Sequence, residues 1–158
     1  MESKLLYDLY ICSLIDRKDI MSILKNRSFD IGQVEYYDII YSDKLDNKEF
    51  LNKLSLICSN ILSENELKEK YTLVISLFYK RQFNLNIESS LYDFYLNYSK
   101  ELIAIDFDFW NLISTDWELK KDGFEGISSS IEMIRKYLQN NANMKDLSDS
   151  VIINMISS

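Results

Sequence analysis

Asp106 and Asp108 flank Phe107 in a D-x-D triplet, and this is the arrangement in the chain that most resembles a reactive site. In some metal-dependent transferases two such carboxylates hold a divalent ion and the phosphates of a sugar nucleotide. That site hangs on an α/β nucleotide-binding scaffold, which this sequence does not encode. An EF-hand loop beginning at Asp106 would need an oxygen ligand at position 110, glycine at 111 and glutamate at 117. Trp110, Asn111 and Trp117 stand there instead. The chain has no histidine, which removes the commonest general base and metal ligand. Its two cysteines form no C-x-x-C pair, and three glycines are too few to cradle a phosphate. Paired carboxylates could in principle hydrolyse glycosides, but no particular pair stands out among 25 acids. No catalytic residue, metal or cofactor is therefore assigned.

Charge and aromatic content are more informative. The formal charge is −7, which disfavours binding nucleic acid through a basic surface. Two segments supply more than the whole of it. Residues 28–46 carry five acids against Lys44, and residues 93–125 carry eight acids against Lys100, Lys120 and Lys121. The same segments hold Tyr36, Tyr37, Tyr41, Trp110 and Trp117. Carboxylates steer a basic partner and raise its association rate by roughly 10–10³-fold, while desolvated aromatics supply most of the binding free energy. On this reading Asp93, Asp106, Asp108, Asp116 and Glu118 steer a partner and form charge-assisted hydrogen bonds, and Trp110, Trp117 and Tyr92 anchor it. The plainer reading is a solvated acidic face beside ordinary core aromatics. The sequence leaves both open.

These residues must be positioned by helices. A chain of 158 residues, 47% hydrophobic, with no proline and three glycines, suits one all-α domain over 1–158, a bundle of about six to seven helices. Asp46 and Glu49 have capping-box spacing ahead of a stripe of Phe50, Leu51, Leu54, Ile57, Cys58, Ile61 and Leu62. Ser63 and Glu66 repeat the device before Leu67, Tyr71, Val74, Ile75, Phe78 and Tyr79. A first helix behind Ser3 uses Leu5, Leu6, Leu9 and Cys12, and a short second one follows Asp16. Leu91, Phe94, Tyr95, Tyr98 and Leu102 mark a helix over 86–102. Ile127, Ile131, Ile134 and Leu138 mark another, and a last one runs from Asn143 through Leu147, Val151 and Met155. Residues 34–43 fit helix or strand. Residues 104–114 alternate apolar with acidic in a short strand-like span, but helix or irregular loop is favoured, since a lone strand pair is marginal.

Cys12 and Cys58 sit in apolar runs and read as small core residues. Glu2 and Asp8 interrupt what would be a secretory apolar stretch, and no window approaches the ~18 apolar residues of a membrane span. A cytoplasmic protein is expected.

Residues 90–117, followed after a gap by 127–139, show an aromatic helix pair, a Tyr92-Asp93-Phe94 element, an acidic-aromatic segment and a closing Lys136-Tyr137-Leu138. Across roughly residues 66–139 this layout resembles a bacterial family found among immunity proteins of polymorphic and contact-dependent growth-inhibition toxin systems. The resemblance implies a cytoplasmic inhibitor that binds one cognate toxin in a 1:1 complex. The toxin expected is a nuclease with a basic cleft. A helical adaptor with a different protein partner is the alternative. Neither expectation involves an enzyme, direct nucleic-acid contact or a membrane.

Overall fold

The computed structural model describes residues 2–3, 5–26, 34–41, 44–58, 62–63, 65–81, 87–124 and 130–158. Among them are nine helices and one two-residue antiparallel ladder, so the bundle is all-α but more finely divided than expected. The elements are β1 (Glu2–Ser3), α1 (Leu5–Ile11), α2 (Arg17–Asn26), α3 (Val34–Tyr41), α4 (Asn47–Cys58) and β2 (Leu62–Ser63). They continue with α5 (Glu66–Arg81), α6 (Ile87–Ile105), α7 (Phe107–Lys121), α8 (Ser130–Asn141) and α9 (Asp149–Ser157).

Local sequence explains many of the boundaries. The Asp46 carboxylate accepts from the Glu49 N–H at 2.8 Å, which is the expected cap of α4. Asp16 and Asp19 cap α2 reciprocally, each side chain accepting from the other's backbone N–H at 2.9 Å. Ser3 and Ser63, expected to cap α1 and α5, lie instead in the β1–β2 ladder, where Glu2 pairs with Ser63 and Ser3 with Leu62. α1 ends in a Schellman turn. Leu14 N–H bonds to Leu9 C=O, Ser13 N–H bonds to Tyr10 C=O, and Ser13 occupies the left-handed region at φ 58°. The same turn closes α7, with Gly123 at φ 85°, the conformation glycine adopts without strain.

Helix α5 lies at the centre, against α6, α8 and α9. The expected stripe of Leu67, Tyr71, Val74, Ile75 and Phe78 is buried, and so are Leu73, Ser76 and Leu77, because neighbours cover α5 on nearly every side. Its Lys70 ammonium bonds to the Ile156 carbonyl of α9. Arg81 holds Asp149 of α9 at 2.9 Å and Asp19 of α2 at 3.3 Å.

Four expectations are settled by packing. Residues 34–41 are helical. The strand-like span 104–114 is the end of α6, a one-residue break at Asp106, and the start of α7. α8 buries Ile134 and Leu138 but leaves Ile131 exposed, and Ile127 lies outside the described residues. The last helix begins only at Asp149, after turns at 143–147, so its phase differs from that of a helix started at Asn143. It buries Ile152, Ile153 and Ile156 and exposes Val151 and Met155. Cys12 is buried as expected, and burial, reinforced by the charges of Asp93 and Asp8, pushes its thiol up to about 12. The side chain of Cys58 lies outside the described residues.

Candidate functional site

Helices α6 and α7 run antiparallel, joined at Asp106. Glu88 and Tyr92 near the start of α6 meet Lys120 and Trp117 near the end of α7. The eight expected partner-binding residues fall on this pair and separate into three groups.

The two tryptophans belong to the interior, which corrects their assignment as surface anchors. Trp110 is 0% exposed. Its indole N–H donates to the Tyr71 hydroxyl at 3.0 Å, and its ring stacks on Tyr95. Trp117 is 8% exposed and lies against Tyr92 and Tyr95, with ring centroids 4.7 and 5.7 Å away. In a helix, Trp110, Ile113 and Trp117 at spacings of three and four form one row, and that row must face the core. Tyr92, half-buried at the edge of this stack, keeps contact with solvent, as does the half-buried Tyr95.

Two of the acids have structural roles. Asp106 caps α7 by accepting from Phe109 N–H at 3.2 Å. Asp116 is buried, with a carboxylate oxygen 3.3 Å from Lys120, whose ammonium also lies 2.6 Å from Glu88. Desolvation opposes the charge on Lys120, but these two carboxylates outweigh it and hold the ammonium's pKa above its ordinary value. The third group, Asp93, Asp108 and Glu118, is exposed as steering requires.

The outer face of α7 contains residues the sequence reading did not assign. Phe107 is 62% exposed and Leu112 52% exposed. At 100° per residue, Asp108, Leu112, Thr115 and Asp122 lie about 140–180° from Trp117, Glu118 about 100° and Phe107 about 80°. Three carboxylates and Leu112 thus share the solvent-facing side of α7, with the exposed Phe107 at its edge. A strand reading of 104–114 hides this pattern, because alternation puts Phe107 and Asp108 on opposite faces. A helical wheel drawn with both tryptophans inward reveals it.

The other acidic segment is arranged differently. Asp38 is ion-paired to Lys53 and Asp46 caps α4. Val34, Tyr37 and Tyr41 are exposed in a row on α3, with the two tyrosine rings nearly parallel at 6.1 Å. Asp30 and Asp43 lie outside the described residues.

Beneath the α7 face lies a buried polar cluster. Tyr71 is bonded to Tyr137, and Phe109 stacks on the Tyr137 ring. Burial raises the Tyr71 hydroxyl from 10.0 to about 12, against its bonds to Tyr137 and Trp110, and the charge of Asp106 adds to the rise. Burial, its bond to Tyr71 and the nearby Asp106 carboxylate raise Tyr137 as well. Both phenols are neutral at physiological pH and act as hydrogen-bonding struts. Among the described residues no three cysteine, aspartate or glutamate side chains converge as a metal site would need. No described helix is long and apolar enough to cross a membrane. No protein-family model, curated protein or solved structure matches this chain.

Proposed function

We propose that this chain is a binding protein, without catalytic activity, that captures one basic protein partner through the outer face of α7, and that the partner is a toxin neutralised by the capture. The observation that carries the reading is the exposure of Asp108, Glu118 and Asp122 on the outer side of α7 together with Leu112, and with Phe107 exposed at its edge. Carboxylates there act over about a Debye length, ~8 Å at physiological salt, to orient an approaching basic surface. The two apolar side chains lose water only on contact and supply affinity. The resemblance of residues 66–139 to immunity proteins supports the choice of a toxin as partner.

Co-expression with the protein encoded beside this gene tests the reading. The expected result is loss of that protein's toxicity together with a 1:1 complex on gel filtration. Association should slow steeply with added salt, and Asp108→Lys should reduce the on-rate far more than Lys53→Glu. A complex without neutralisation would favour an adaptor role. Equal effects of the two charge reversals would move the interface off α7.

A further inference from the structure

Where α6 and α7 meet there is a small open pocket of about 190 Å³, lined by Glu88, Ser89, Tyr92 and Trp117. Drug-sized ligands occupy roughly 300–1,000 Å³, so this volume suits a single side chain rather than a metabolite. Two walls are aromatic. The Tyr92 and Trp117 ring centroids stand 4.7 Å apart at an interplanar angle of 59°, in tilted contact. A cation is attracted to a ring within about 6 Å of its centroid, so one charge seated in the pocket that both rings line is within reach of both.

The rim is negative. Glu88 lines the pocket and, with the neighbouring Asp116, contacts the ammonium of Lys120, so two carboxylates stand at this rim beside one cation. Asp93 follows Ser89 by four residues, and so stands over the same face of α6 one turn further on. The row Leu112, Asp116 and Lys120, at i, i+4 and i+8, links the outer face of α7 to this pocket. A partner laid on Leu112 therefore has the pocket within reach at its flank.

We propose that the Tyr92–Trp117 pocket receives one lysine or arginine side chain of the partner, its cation held by the two rings and by Glu88. The proposal rests on the reading of a basic protein partner, and adds to it the specific seat for a basic residue. Trp117 then contributes to recognition from inside the fold, as the floor of a cage rather than as a protruding anchor.

The two indole N–H resonances give a direct assay, because Trp110 is sealed and bonded to Tyr71 and so serves as an internal reference. The intact protein is titrated with capped heptapeptides of alternating glycine and lysine, glycine and arginine, or glycine and norleucine. The expected result is a saturable shift of the Trp117 indole with the lysine or arginine peptide, none with norleucine, and a stationary Trp110 signal. The stronger of the two cationic peptides identifies the preferred side chain. Glu88→Gln should weaken binding by about three- to tenfold, the range for one exposed charge or cation–π contact. Ser89→Arg should weaken it similarly by presenting a cation of the protein's own, and since Ser89 is exposed the core is untouched. Shifts confined to the α7 amides from Asp108 to Glu118, with Trp117 unmoved, would overturn the pocket while leaving the basic-partner reading in place. Absence of any shift would also overturn the pocket, and the co-expression experiment would then judge the wider reading by itself.

Discussion

The indole N–H of Trp110 donates to the Tyr71 hydroxyl at 3.0 Å, and that hydroxyl is bonded in turn to the hydroxyl of Tyr137. One polar chain therefore ties α7 to α5 and α8 inside the core. Trp110→Phe removes the donor and part of the ring. It should lower unfolding free energy by about 1–3 kcal/mol, combining a lost buried hydrogen bond with a modest cavity. Urea titration measures this, and an unchanged midpoint would mean that the link contributes nothing.

The same cluster sets an alkaline limit. A phenol whose pKa is higher in the folded state keeps its proton there while the unfolded chain has lost its own, so stability falls as pH rises. For Tyr71 the window runs from 10.0, the unfolded value, to about 12. The loss across it is about 3 kcal/mol for this group alone. Melting temperatures should hold steady to about pH 8 and then drop, the buried Cys12 thiol, raised from 9.0 to about 12, adding to the fall. Tyr71→Phe should flatten that drop while lowering stability at neutral pH.

On the outer face of α7 binding and folding separate. Phe107→Ala and Leu112→Ala should change stability by no more than about 0.5 kcal/mol, as exposed substitutions do. Each should cost more than about 1 kcal/mol of partner affinity, roughly fivefold or more, if these side chains are anchors. Calorimetry on the complex and a thermal melt of the free protein give the two numbers. Parallel losses in both would assign Phe107 and Leu112 to the fold.

Asp106 should behave as a cap. Asp106→Asn keeps an acceptor for Phe109 N–H and should be nearly neutral, whereas Asp106→Ala should cost about 1 kcal/mol. Neither should slow association as Asp108→Lys does. A marked on-rate defect in Asp106→Asn would return this carboxylate to the binding surface.

Much of the architecture was legible in the residues themselves. The Asp46–Glu49 and Asp16–Asp19 caps are local, and a carboxylate three residues from a free N–H can do little else at a helix start. The helical stripes of α4 and α6 are likewise visible, because one face of each is polar, although Leu62, read into the α4 stripe, lies in β2. Legibility ended where context decided. α5 is buried on both its expected stripe and its flanks, which only the presence of α6, α8 and α9 explains. Ser3 and Ser63 look like caps, yet a two-residue ladder between distant segments takes them. At the candidate site the acidic character was evident and the anchors were misplaced. Aromatic residues satisfy core and interface equally well, and the alternation of residues 105–109 concealed the helical phase that turns Trp110 inward and Phe107 outward.

The bond from Lys70 to the Ile156 carbonyl spans 86 positions of the chain, and Arg81 to Asp149 spans 68. During translation the central helix must wait with one flank bare until α9 has left the ribosome, since contacts so remote in sequence close late. Nascent chains stalled before Asp149 should therefore recruit chaperones and be cut readily by protease, and both sensitivities should vanish once α9 has emerged.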